Sequence, residues 1–369
     1  MLPVDSRWPP ASLRRMPLGY IPGASHRELI LTEEQLDVAA RLALARYAVL
    51  DGASGSGKTH LAAAIATSCA AMGRTVLFLA PRLPLARWLA QTLRPLGVEV
   101  QTIDGIARRV LAARFRVPPT RQGFDDPEYF EAAMQAAEPG RFDLVVIDEW
   151  QTTSDRERGF LDRIAAGSLY LVVTDSSRDL RPLSTMPAGS PERFQLAHSH
   201  RSPGRVEPFD RAYVDEELEV LPAKQVRESV RVTSLEPLAD VHRSVATAVT
   251  ELRERGLADC EIGLVSCVGR TASAIVTAQV APQATPKAFL QTAPQAMTSL
   301  AADSFAYFLG LERRAVLVVE ASPALTFRRR RLHNALSRAT EYVHLLLPAE
   351  DVEADPTLRD WSSRERPGA

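Results

Sequence analysis

The segment GASGSGKT at 52–59 constrains this chain more than any other. It fits G-x-x-x-x-G-K-[ST], follows the apolar run YAVLDG directly and opens an Ala-rich stretch, so a strand is expected to pass through a tight loop into a helix. Gly52, Gly55 and Gly57 let the backbone curl so that its N–H groups and the helix N-terminus face an anion. Lys58 adds a point charge for phosphate oxygens, and Thr59 adds a hydroxyl suited to Mg²⁺. Lys58, Lys224 and Lys287 are the only lysines of an arginine-rich chain, so a lysine kept at this position matches what the chemistry requires. A Gly/Ser turn that carries a lysine by chance fits less well, because it explains neither the preceding strand nor the following helix.

Further along, DLVVIDEWQ at 143–151 places two adjacent carboxylates at the end of an apolar strand, where open α/β sheets put their ligand chemistry. A lone D-E at such a place is usually a solvated strand end. Paired with the phosphate loop, it reads as the second half of a hydrolytic site: Asp148 for Mg²⁺ and Glu149 to orient and deprotonate water. ATP and Mg²⁺ are the expected cofactors, with Lys58 the positive charge on the phosphates.

Short apolar runs recur at 47–52, 75–81, 98–105, 143–149 and 169–175, with helical segments between them, and a second series lies at 229–235, 261–268, 315–321 and 342–348. Strands apolar on both faces and alternating with helices predict an α/β fold with parallel sheets. A length of 369 residues with 46% hydrophobic composition suits two cores. The expected organisation is an N-terminal arm over 1–28, a first domain over 29–185, a second over 190–350 and a polar tail over 351–369, with the Pro/Ser-rich stretch 181–192 between the cores. Thr32, Glu33, Glu34 and Gln35 look like a capped helix start.

A formal net charge of −1 supplies no general attraction for nucleic acid, so such binding needs a local groove. Cys69, Cys260 and Cys267 form neither an even set nor a C-x-x-C pair and are expected as small buried side chains in a reducing cytoplasm. Prolines and arginines interrupt the apolar residues of the N-terminus, and no later stretch is long enough to span a membrane.

DEWQ is similar to the D-E-x-Q box of UvrD/Rep-like superfamily 1 helicases, and other boxes follow in that family's order over roughly residues 31–347. The resemblance implies two RecA-like P-loop domains, compact and without large accessory domains. LTEEQ at 31–35 looks like the glutamine motif, with Gln35 on the adenine edge. APRLPLARWLAQTL at 80–93 and TIDG at 102–105 sit where the family contacts a nucleic-acid backbone, and LYLVVTDSSRDL at 169–180 resembles the box that couples the ATP site to the strand. LAHSHRSPGRV at 196–206 offers Arg201 to the γ-phosphate, the box at 303–320 places Glu312 at the ribose, and LHNALSRAT at 332–340 offers Arg338 as an arginine finger. The chain departs from the family at Arg178, where glutamine is usual, at Leu309, where lysine is usual, and at Ala306, where histidine is common.

The implied function is an ATPase acting on single-stranded nucleic acid, DNA ahead of RNA, as a translocase or remodelling module with a protein partner. The alternative is a nucleotide-controlled switch or ATPase subunit within a larger assembly such as a defence or repair complex, to which Arg178, Leu309, the expected lack of accessory domains and the near-neutral charge point. The basic run FRRRRLHN at 327–334 fits a phosphate or partner contact and fits a solvated helix face equally, while Trp88 and Trp150 are expected to pack rather than stack on bases.

If Arg201 and Arg338 both serve the γ-phosphate, replacing either with Ala lowers turnover on the order of 10³- to 10⁵-fold while ATP affinity changes little. Lysine rescues poorly, because it lacks the guanidinium fork. Steady-state turnover beside a direct binding titration checks this, and near-parental turnover in both alanine variants would defeat it.

Overall fold

The computed structural model describes residues 15–16, 29–42, 45–52, 55–122, 126–175, 191–197, 229–235, 240–269, 272–274, 300–306, 308 and 312–363. Two short strands, β1 (Arg15–Met16) and β2 (Leu29–Ile30), pair antiparallel. Then come α1 (Glu33–Leu42), β3 (Tyr47–Gly52), α2 (Lys58–Ala71), β4 (Val76–Ala80), α3 (Leu83–Leu93), β5 (Val98–Thr102), α4 (Ile103–Arg114) and α5 (Pro127–Ala136). The first unit continues with β6 (Leu144–Ile147), α6 (Asp155–Ala165), β7 (Leu169–Val173) and β8 (Glu192–Leu196). The second holds β9 (Val230–Leu235), α7 (Asp240–Glu254), β10 (Ile262–Ser266), β11 (Ala301–Ser304), β12 (Arg313–Val319), α8 (Arg328–Leu336), β13 (Ala339–Pro348), α9 (Ala349–Glu353) and α10 (Pro356–Ser363).

The first unit's sheet has the strand order β5-β4-β6-β7-β3-β8, and all its pairings are parallel. Alternation along each strand divides the core between the two faces. Val76, Phe78, Leu144 and Val146 pack on one side with α2, while Leu77, Leu79, Val145 and Ile147 pack on the other with Tyr129, Phe130 and Phe160. This double burial is why the strands read as continuous apolar runs. Removing one such ring, as in Phe78→Ala, costs about 3–5 kcal/mol.

Local chemistry starts the helices. Thr32 and Gln35 form a reciprocal cap, with Gln35 N–H donating to Thr32 Oγ1 (3.3 Å) and Thr32 N–H to Gln35 Oε1 (3.0 Å). Thr102 caps α4, and Ser154 with Glu157 forms a capping box on α6. At the start of α2, Gly57 offers no side-chain cap, so the helix's first N–H groups have no side-chain acceptor there.

The second unit's sheet has the order β11-β10-β12-β13-β9, again all parallel. Val241, Val245, Ala248 and Leu252 of α7 cover one face through Leu264, Leu317 and Leu346. Two strands depart from the sequence expectation. Glu192–Leu196 pairs with β3, so among the described residues the first unit includes 191–197 rather than ending at 185. β11 is the short segment Ala301–Ser304, whose Asp303 and Ser304 disguise a buried strand. Of the arm expected over 1–28, only Arg15–Met16 lies among the described residues.

Cys69 and Cys267 are buried with their thiols pushed up to about 12, which makes them inert packing groups. His344 on β13 is buried, and its Nε2 shares a 2.8 Å hydrogen bond with Thr233 Oγ1 on β9. Burial first, then the Arg231 and Arg255 charges, hold its pKa at about 3 against the ordinary 6.5. The unfolded chain therefore takes up this proton at a higher pH than the native one. Stability from His344 is complete above pH 6.5 and falls as the pH drops toward 3, by on the order of a few kcal/mol. Denaturant titrations of the parent and His344→Asn across that window check this: the parent should lose stability relative to the variant on acidification, and parallel curves would refute it.

Candidate active site

The strand β3 delivers the chain to the phosphate loop at Gly52, whose N–H donates to Asp51 Oδ1 (2.7 Å). A Cβ on Gly52 would come within 2.8 Å of Leu196 O and 2.9 Å of Ser56 Oγ, so β8 itself demands glycine here. Gly55 and Gly57 have φ of 79° and 82°, in the left-handed region. Lys58 and Thr59 then open α2. Lys58 Nζ donates to Gly52 O (2.5 Å) and reaches Asp175 Oδ2 at 3.5 Å. The Ser56 hydroxyl is buried without a hydrogen-bond partner, a cost of about 1–3 kcal/mol that a hydrogen-bonding ligand would relieve.

The second half of the site comes from β6. Asp148, just past its end, is 2% exposed, and its Oδ2 accepts from Thr59 Oγ1 at 2.9 Å. Burial, followed by the adjacent Glu149 carboxylate, pushes the Asp148 carboxyl well above the usual range. A bound divalent cation removes that penalty. One carboxylate beside one hydroxyl suits Mg²⁺, which keeps waters and phosphate oxygens as its other ligands. No cluster of three or more His, Cys, Asp or Glu that could form an all-protein cage exists among the described residues.

Glu149 has φ 54°, an uncommon conformation for a residue with a side chain and one that costs about 1–3 kcal/mol. Its surroundings enforce it: Glu149 O accepts from Thr152 N–H (2.9 Å) and Thr152 Oγ1 (2.8 Å), and its carboxylate accepts from Gln151 Nε2. Gln151 Oε1 in turn accepts from Asp175 N–H (3.1 Å) and Thr174 Oγ1 (3.2 Å), just past β7. Because β7 lies between β6 and β3 in the sheet, Asp175 stands between the loop lysine and the carboxylate pair. Sequence reasoning gave Gln151 and Asp175 no individual role. The available signal was a polar residue at the end of each of three apolar runs.

Gln35 sits beside this loop. Its Nε2 donates to Ser56 O (3.0 Å) while its Oε1 takes the Thr32 N–H, so the amide braces the start of α1 against the phosphate loop. These bonds use one N–H and one lone pair of the amide, so a second N–H and a second lone pair remain for the adenine contact that the glutamine motif implies. Gln35, Gly52, Gly55, Gly57, Lys58, Thr59, Asp148 and Glu149 thus all gather in the first unit.

Glu312 and Arg338 belong to the second unit, and Arg201, Arg178 and Leu309 lie outside the described residues. Glu312 O accepts from Arg313 Nη1 (2.8 Å). Arg338 is buried, and it donates from Nε to Asn334 O (3.0 Å) and from Nη2 to Ser337 Oγ (3.3 Å). In the basic run, Arg328 pairs with Asp355 and Arg331 donates to Cys267 O (3.0 Å), whereas Arg329, Arg330 and Phe327 are exposed. Trp150 is fully buried with Arg158 over its ring, and Trp88 packs against the core beside α2. Both tryptophans therefore pack as expected.

Residues 30–177 match the family model of an AAA domain. A comparison with curated proteins finds no match. The matched segment contains Gln35, the phosphate loop, Asp148, Glu149, Gln151 and Asp175, and covers less than half of the chain. The chain is an α/β protein with two parallel sheets, and its first unit carries a P-loop NTPase domain of a type found in helicase-like proteins. A domain of this type points to nucleotide hydrolysis with Mg²⁺. Among the described residues no helix is long and apolar enough to cross a membrane.

Gly57→Ala tests the loop geometry, because its Cβ would fall on Gln35 Nε2 and its φ of +82° strains any side chain. ATP binding is expected to weaken at least about tenfold by calorimetry, with the circular dichroism spectrum unchanged. Parental affinity would mean that the nucleotide uses another loop conformation.

Proposed function

We propose that this chain is an ATP-hydrolysing motor of the UvrD/Rep-like superfamily 1 type, with two RecA-like domains acting on single-stranded nucleic acid, DNA ahead of RNA, as a translocase or remodelling module in the cytoplasm. The observation that carries the ATPase reading is the convergence of Lys58, Thr59, Asp148 and Glu149 beyond the carboxyl ends of β3 and β6, two parallel strands of one sheet separated by β7, with Thr59 and Asp148 in direct contact. The loop N–H groups and Lys58 bind the triphosphate tail, and Thr59 with Asp148 holds Mg²⁺, which supplies charge stabilisation when bound. Glu149, held in its strained conformation beside the Gln151 amide, orients the attacking water and takes its proton. Arg201 and Arg338 supply positive charge to the transferring phosphoryl group, and Gln35 and Glu312 serve the base and ribose.

The nucleic-acid reading rests on the ordered boxes, and the exposed Phe327, Arg329 and Arg330 support it with an aromatic face beside two cations. A protein partner is part of this proposal, since the sequence between TIDG at 102–105 and DLVVIDE at 143–149 is short for an insertion that separates a duplex. The second reading, a nucleotide-controlled switch in a larger assembly, is favoured by Arg178 and Leu309, which replace residues that link phosphate state to the strand.

ATP turnover of the parent, Lys58→Ala and Glu149→Gln, each with and without a single-stranded oligonucleotide, decides between these readings. Lys58→Ala should abolish turnover and weaken binding. Glu149→Gln should keep binding and lose about 10²- to 10⁴-fold in rate. Stimulation of the parent by the oligonucleotide supports the motor, turnover without stimulation supports the switch, and parental rates in both variants would remove the ATPase assignment.

A further inference from the structure

Lys58 and Asp175 form an ion pair whose side chains are 11% and 2% exposed. A carboxylate buried to this degree needs a cation, and this one draws on the lysine that the phosphate loop presents to its ligand. Two anions therefore compete for one ammonium group: Asp175 from the end of β7 and the phosphates of an incoming nucleotide. The competition is wired to the chemistry, because the Asp175 N–H and the Thr174 hydroxyl both bond Gln151 Oε1 while Gln151 Nε2 donates to Glu149.

We propose that Asp175 is a positioning residue that acts through Lys58 as an internal stand-in for phosphate, so that it sets the threshold for nucleotide binding. This rests on the reading of 52–59 as the phosphate site. A polyphosphate tail brings enough charge to take Lys58 from the carboxylate, whereas a monophosphate competes poorly. Release of Asp175 is passed through Gln151 to the Glu149 carboxylate, which links occupancy of the loop to the hydrolytic residue.

Asp175→Asn keeps the size and the backbone N–H to Gln151 but removes the competing charge. Titration calorimetry with Mg·ATP and with inorganic pyrophosphate should show both binding about tenfold tighter than to the parent. KM for ATP should fall by more than kcat changes. In a Lys58→Ala background the same substitution should alter the weakened affinity by less than about twofold, since the shared ammonium is gone. Asp175→Ser, smaller and also uncharged, should give the same sign if asparagine packs badly. Affinity that is unchanged or weaker in both uncharged variants, or an equal gain without Lys58, would overturn the proposal, because a merely structural Asp175 predicts one or the other. If Lys58→Ala binds ATP as well as the parent, the phosphate-site reading falls together with this one.

Discussion

Charge gathered at the edge of an apolar sheet is the constraint around which the first unit is arranged. The carboxyl ends of β3, β7 and β6 present Lys58, Asp175, Asp148 and Glu149 at neighbouring positions, and two of the three carboxylates are almost wholly buried. Such groups are tolerable only if each finds a partner. The chain supplies partners of its own: Thr59 for Asp148, Lys58 for Asp175 and Gln151 for Glu149. Incomplete relief is equally informative. The Asp148 carboxyl stays well above its usual range and the Ser56 hydroxyl stays unsatisfied, which is what a site shaped for a cation and a phosphate tail retains.

The scaffold makes that arrangement stiff. Both faces of the sheet are buried, so no strand can slip without exposing alternate residues such as Phe78 and Leu79. Position then follows from strand order. Hydrogen bonds from Thr152 and Gln151 hold the left-handed backbone at Glu149, and Gly52 lies directly against Leu196, so the chain keeps conformations a free peptide would leave. The second sheet is different at its carboxyl end. There Glu320 accepts from the hydroxyls of Ser266 and Ser273 (both 2.5 Å) and from Ala274 N–H (2.8 Å), so that end carries its own anion on two hydroxyls and a backbone N–H.

Much of this was legible in the residues. The phosphate loop, the D-E pair and nearly all of the longer strands were visible because each is a local pattern: glycines at positions that curl the backbone, or apolar runs between turn residues. What remained hidden was non-local. ERFQL at 192–196 looks like a polar surface segment, yet its Phe194 and Leu196 are buried and it closes the sheet beside β3. Asp303 and Ser304 similarly mask β11. The resemblance places Gln35 toward a base, and only the structure shows that its amide also braces the phosphate loop through Ser56 O.

The sequence by itself determined the chemistry available to this protein: one lysine in a glycine loop, one threonine after it and two carboxylates after an apolar strand. Those are properties of short segments, set by backbone freedom and side-chain type. Only the tertiary structure decided which groups meet. The order β6-β7-β3 inserts Asp175 between Lys58 and Glu149, although Lys58 and Asp175 lie 117 residues apart in the chain. Strand order depends on which helices cover which face of the sheet, a matter of packing across the whole unit that no single segment encodes.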